Sequence, residues 1–206
     1  ILKNYNYSNF LEDFTTNTEF YYLCKYDHSK IVEYFLERHK KRILYKIKKF
    51  PYTLLRELAD QNDLLTIYYL LSNVKKITQE FFSECKKLKM MVIPPTIESI
   101  EEKSFYNCIS LTHVYIPSSV KLIGKSAFYF CKSLTQINIP SSVKSIGSCA
   151  FASCSCLKKM VLPLCLNSIE PNTFDECSSL KKILIQSALK SIGQCAFFNC
   201  ISLEII

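Results

Sequence analysis

Beyond about residue 74 the apolar residues fall into columns instead of helical stripes. Phenylalanine recurs at Phe82, Phe105, Phe128, Phe151, Phe174 and Phe197, a spacing of 23 residues that never slips. Three residues after each stands a cysteine, Cys85, Cys108, Cys131, Cys154, Cys177 and Cys200, and three further on a leucine, from Leu88 to Leu203. Two more apolar columns complete the unit: Val74, Ile97, Val120, Val143, Leu166 and Leu189, then Ile77, Ile100, Ile123, Ile146, Ile169 and Ile192. They set its start near Val74. A fixed period of this length marks a repeat architecture.

Within the unit, Leu-x-x-Val/Ile-x-Ile alternates as a short strand does, and the proline that follows at Pro94, Pro117, Pro140 and Pro163 ends it, because proline cannot donate to a ladder. The pattern predicts one strand per repeat. A unit with one strand cannot bury its own apolar face, so the copies stack about 4.8 Å apart into a solenoid with a continuous core and a parallel sheet. The I-G-x-x-A-F-x-x-C segment returns the chain on the other side. Its column holds Gly124, Gly147 and Gly193, the chain's three glycines, where positive φ or a close backbone approach is expected. The residues between the inward columns face outward: Met90 and Val92, His113 and Tyr115, Gln136 and Asn138, Lys159 and Val161, Lys182 and Leu184. They differ from copy to copy, and the last eight of them, His113 to Leu184, form the expected partner-binding surface.

The string I-G-x-x-A-F-x-x-C-x-S-L-x-x-I-x-I-P-x-S-V, carried for instance by Ile123 to Val143, resembles the BspA-type leucine-rich repeat of surface antigens from mucosal bacteria and parasitic protists. Residues 74–206 would hold five full copies and a partial sixth. Departures are local: Glu101 and Glu170 replace glycine, Thr173 replaces alanine, and Leu164-Cys165 and Ser187-Ala188 replace the paired serines. The resemblance implies a curved, non-enzymatic binding scaffold, with cell-surface adhesion as one role.

Residues 1–73 follow another pattern. Ten of the thirteen tyrosines fall here, glycine is missing and the 23-residue period is lost. Apolar residues recur at helical spacing in Phe20-Tyr21-Leu23-Cys24, Ile31-Val32-Phe35-Leu36, Leu54-Leu55-Leu58 and Ile67-Leu70-Leu71. A shift of 35 residues lays Leu23 over Leu58, Tyr34 over Tyr69 and Leu36 over Leu71. With Asp27-His28 and Asn62-Asp63 as polar turns, this arrangement resembles two degenerate ankyrin repeats without the T-P-L-H signature. The whole is therefore expected to be an α+β repeat protein, with ankyrin-like helical hairpins (1–73) fused to and capping a leucine-rich-repeat solenoid (74–206).

The eleven cysteines narrow the chemistry. The six in the Phe-linked column are expected to lie inside the turns as a structural ladder, their thiols serving carbonyls that the return leg leaves open. Side chains stacked in parallel do not aim at one another as a disulfide requires. Cys24, Cys149, Cys156, Cys165 and Cys195 stand off that column. No C-x-x-C occurs, and His28, His39 and His113 share no spacing that would close a tetrahedral site, so no metal or other cofactor is expected. Phosphate-cradling glycine loops, G-x-S-x-G and H-E-x-x-H are missing, and Cys24 with His28 reads as helix packing, not as a nucleophile with its base. No catalysis and no small-molecule substrate is expected.

Charge adds one alternative. The net charge of +8 is divided evenly along the chain, but Arg38-His39-Lys40-Lys41-Arg42 with Lys46, Lys48 and Lys49 concentrates it. Such a stretch can neutralise phosphates or approach anionic lipid, yet it reads better as a solvated loop and helix end, and no nucleic-acid module surrounds it. Unpaired thiols favour a reducing compartment, with the cell surface, where Asn6-Tyr7-Ser8 could carry a glycan, as the alternative. The first residue is Ile1 and the last pair, Ile205-Ile206, falls in mid-strand, so the sequence reads as a piece of a longer protein. A protein partner is the expected ligand, its identity open.

Overall fold

A computed structural model describes residues 58–72, 74–185 and 189–204, together with Glu37. The helices expected before Leu58, the basic stretch 38–49, the sequon and Cys24 lie outside the described residues.

Residues 58–60 are helical and a turn at Gln61 and Asn62 leads into helix α1, Leu64–Leu71. Asp63 caps α1 by accepting from the Thr66 amide at 3.2 Å, the role a short acidic side chain plays at a helix start. Asn62 adopts positive φ (52°), which asparagine tolerates better than most residues.

Ten short strands follow: β1 (Lys76–Ile77), β2 (Met90–Val92), β3 (Ser99–Ile100), β4 (His113–Tyr115), β5 (Leu122–Ile123), β6 (Ser145–Ile146), β7 (Lys159–Val161), β8 (Ser168–Ile169), β9 (Lys182–Leu184) and β10 (Ser191–Ile192). All pairings are parallel. The two-residue strands form the ladders β1-β3-β5-β6 and β8-β10, and the three-residue strands pair as β2-β4 and β7-β9. In the turn between β4 and β7 the strand shrinks to a bridge between Gln136 and Lys159. Each turn of the solenoid thus contributes to two ladders, where the sequence predicts one. The second arises at an x-Ile pair, Ser-Ile in four of its six strands, in the leg assigned to the return, since stacked copies set equivalent residues at ladder distance even where two residues are too few to show alternation.

Stacking makes each apolar column a filament of the core. Phe82, Phe105, Phe128, Phe151 and Phe174 are fully buried, and successive rings from Phe82 to Phe197 lie 5.2 to 5.7 Å apart and nearly parallel. Ile97, Val120 and Val143 are buried in the same way, but Val74, expected to open their column, is 41% exposed. It stands where the chain leaves α1 and has no earlier turn to cover it.

The return leg alternates its backbone bonds. The amides of Glu80, Phe82 and Glu84 donate to carbonyls of the next turn, Glu102, Ser104 and Tyr106, at 2.8 to 3.0 Å, while the intervening amides of Phe81, Ser83 and Cys85 close local turns. The pattern recurs at Lys103, Phe105 and Asn107 and onward. Positive φ makes it feasible: Glu80, Lys103, Ser126, Cys149, Asn172 and Cys195 carry it two residues before the phenylalanine, and Glu84, Asn107, Phe130, Ser153, Glu176 and Asn199 two after. No glycine has positive φ. Of the two expectations for the glycine column, the close approach holds: a Cβ on Gly124 would lie 2.6 Å from the Glu101 carbonyl carbon.

Where glutamate takes the glycine position, hydroxyls surround it. Ser99 donates to the Glu101 carboxylate at 2.7 Å and Ser104 to the Glu101 carbonyl at 2.7 Å. Ser168 and Thr173 do the same for Glu170, at 2.7 and 2.6 Å.

Candidate binding face

The three-residue strands owe their two sides to period-two alternation. Their central residues Met91, Val114, Met160 and Ile183, with Ile137 in the bridge turn, are buried in the continuous core. The flanking residues point the other way and meet in register. Met90 pairs with His113 and Val92 with Tyr115, Gln136 with Lys159, Lys159 with Lys182 and Val161 with Leu184. The pairings therefore collect seven of the eight candidate residues on one side in two groups. His113 and Tyr115 lie on the β2-β4 ladder, and Gln136, Lys159, Val161, Lys182 and Leu184 on the β7-β9 ladder and its bridge. No strand pairing among the described residues joins Asn138 to Tyr115 or Val161.

Exposure varies along the face. Gln136, Asn138 and Lys159 are exposed, whereas His113, Tyr115, Val161, Lys182 and Leu184 are half-buried. His113 Nδ1 lies 3.0 Å from the Thr112 hydroxyl, which in turn donates to the Lys89 carbonyl at 2.8 Å. Val92, expected to face outward, is 1% exposed, because α1 packs against β2 and closes that end of the face.

Three hydrogen bonds between the helical end and the first repeats fix α1 there. The Asn62 side chain donates to the Lys87 carbonyl at 3.1 Å and accepts from the Lys89 amide at 2.6 Å, and the Thr96 hydroxyl donates to the Leu71 carbonyl at 3.2 Å. Leu58, Leu64, Ile67 and Leu71 belong to the same hydrophobic cluster as the solenoid columns. Sequence reading assigned Asn62 to a turn and missed its second use, which leaves no local pattern.

Behind the face runs the cysteine column. The thiols of Cys108, Cys131, Cys154, Cys177 and Cys200 donate to the carbonyls of Phe82, Phe105, Phe128, Phe151 and Phe174 at 3.0 to 3.2 Å. Burial pushes the Cys131 and Cys154 thiols well above the ordinary range and also raises Cys108 and Cys177. Half-buried Cys200 is pushed up to about 11, again by burial. Thiols held protonated in this way serve as donors and are poor nucleophiles. Among the described residues no cysteine is disulfide-bonded, and no three His, Cys, Asp or Glu side chains gather as a metal site would need.

Known proteins share this geometry. A leucine-rich cell surface protein from Faecalibacterium prausnitzii is 34% identical, over 64% of this chain and 42% of that one, with a TM-score of 0.56. A leucine-rich repeat protein from Eubacterium ventriosum is 31% identical, over 66% of this chain and 37% of that one, with a TM-score of 0.61. The leucine-rich repeat protein of T. pallidum shares the fold at 23% identity and a TM-score of 0.55, over 64% of this chain and 72% of that one. No curated protein matches the chain. The profile of the BspA type leucine-rich repeat region matches residues 75–204 in six copies. Stacked 23-residue turns, the Phe and Cys columns and this match lead to one assignment: the chain belongs to the BspA-type leucine-rich repeat family.

Proposed function

We propose that the chain is a non-enzymatic scaffold that binds a protein partner through the outward residues of the three-residue strands. The observation that carries this reading is a division of labour within each strand. The central residues are apolar and buried in every turn, so they hold the core. Their outward neighbours change from His113 and Tyr115 to Gln136 and Asn138 to Lys159 and Val161 while the buried centres stay apolar. A rigid face with freely varied side chains suits recognition. Replacing Tyr115 and Lys159 together by alanine should weaken partner binding about tenfold or more and leave the circular dichroism spectrum unchanged. Unaltered affinity in that double variant would remove these positions from the interface.

A second reading, a cell-surface antigen or adhesin, is favoured by the 34% identity to a protein described as a leucine-rich cell surface protein. The chain spans less than half of that protein, so the role is a proposal. We read residues 1–73 as the ankyrin-like cap of the solenoid; the packing of α1 on β2 and the Asn62 contacts support this at its C-terminal end.

A further inference from the structure

The late strands carry a charge arrangement that narrows the partner, on the premise that the three-residue strands are the binding face. Lys159 and Lys182 occupy paired positions of β7 and β9. Lys158 and Lys181 stand beside them, linked by a backbone bond of 3.0 Å from the Lys181 amide to the Lys158 carbonyl. Parallel neighbours lie about 4.8 Å apart and successive residues alternate sides, so the four positions form a two-by-two grid of lysines in which Lys159 and Lys182 stand on the outward side. Like charges directly opposite each other weaken a sheet. Five ion pairs among the described residues join Lys75 to Glu98, Lys76 to Glu101, Lys86 to Glu84, Lys87 to Asp60 and Lys103 to Glu80. None reaches the late grid. Glu204 is next in the column of Lys158 and Lys181 and donates its amide to the Lys181 carbonyl at 3.0 Å, but its carboxylate makes no ion pair with Lys181.

Beside the charge runs an apolar row. Val161 and Leu184 are paired in register and half-buried, two residues on from Lys159 and Lys182 and thus on the same side. The separation of alternate residues in an extended chain, about 6.6 to 6.8 Å, is also the separation of the two rows. We propose that this patch takes an acidic protein segment in extended form, with a carboxylate between Lys159 and Lys182 and, two residues further on and so on the same side of the segment, an apolar side chain over Val161 and Leu184. A nucleic acid or a lipid headgroup would engage the lysines and leave the apolar row unused.

The test is the affinity of the full chain for a fluorescent peptide repeating Glu-Ser-Val-Ser, which sets glutamate and valine two residues apart on one side of an extended chain, with a Ser-Ser-Val-Ser repeat as reference. The glutamate peptide should bind more tightly, and added salt should weaken it. Lys159→Glu with Lys182→Glu should reduce its affinity about tenfold or more, and the glutamine pair K159Q/K182Q should reduce it less, while K121Q/K144Q, at a lysine pair beside the two-residue strands, leaves it unchanged. Thermal unfolding checks the fold of each variant, and the glutamine pair decides the matter if the reversal variant does not fold. Equal binding of the two peptides, or full affinity in the folded variants of Lys159 and Lys182, would overturn the proposal. If H113A/Y115A weakens the probe and those variants do not, the binding face stands and the acidic segment falls. If neither pair matters, both fall. Displacement of the peptide by phosphatidylserine vesicles or duplex DNA at lower concentration would make the grid a general anion site and overturn the assignment to a protein segment.

Discussion

At Gly124 the backbone of one turn passes so close to the turn before it that a methyl group has no room, while at Cys195 the backbone adopts positive φ (56°) with a side chain attached. The two positions predict opposite outcomes for opposite substitutions. Gly124→Ala should destabilise the fold by about 1 to 3 kcal/mol, since neighbouring backbone must shift to admit the Cβ. Cys195→Gly should stabilise it by about 0.5 to 1 kcal/mol, because glycine reaches the left-handed region without strain and loses part of that gain to entropy. Urea denaturation of the two variants against the parent measures both, and a neutral Gly124→Ala would show that the turns have slack. The glycine column is plain in the sequence. Its reason is not, because a column of small residues satisfies a demand for space and a demand for φ equally well. The residues that do carry positive φ include glutamate, lysine and phenylalanine, types with no such preference. Only the backbone bonding between turns selects them, and a sequence does not display it. The hydroxyls at Ser104 and Thr173 leave a fainter signal: each appears where glutamate replaces glycine three residues earlier.

Among the elements, those long enough to alternate are legible and the rest are not. Three residues with a buried centre, such as His113-Val114-Tyr115, announce a strand and its two sides. Ser-Ile pairs announce nothing, although four of them align with their neighbours as ladders. Burial at the ends also escapes periodicity: Val74 matches its column but lacks a covering turn, and Val92 matches the outward row but lies under α1. The junction between α1 and the solenoid can be tested at Asn62. Asn62→Ala removes the bonds to Lys87 and Lys89 and should cost about 1 to 2 kcal/mol. Hydrogen exchange at the Lys89 amide should quicken, with exchange at Phe128 unchanged. Equal exchange at Lys89 in parent and variant would mean that α1 is held by its apolar side alone.

For the whole molecule, stacking turns a short sequence motif into a long surface with a direction. One end meets α1, and the outward row then runs from Tyr115 through Asn138 to the lysines. Whether that surface works outside a cell is a question about the full-length protein. Labelling of intact cells with a membrane-impermeant reagent should modify it if it acts as a surface antigen, and protection from the reagent would remove that reading. The thiol column has a mechanical consequence as well. Each of these thiols bonds to the phenylalanine carbonyl of the turn before it, so side chain and backbone together fasten each coil to its predecessor. Pulling a coil off the stack must break both kinds of bond, and each 23-residue coil that comes away yields roughly 80 Å of extended polypeptide.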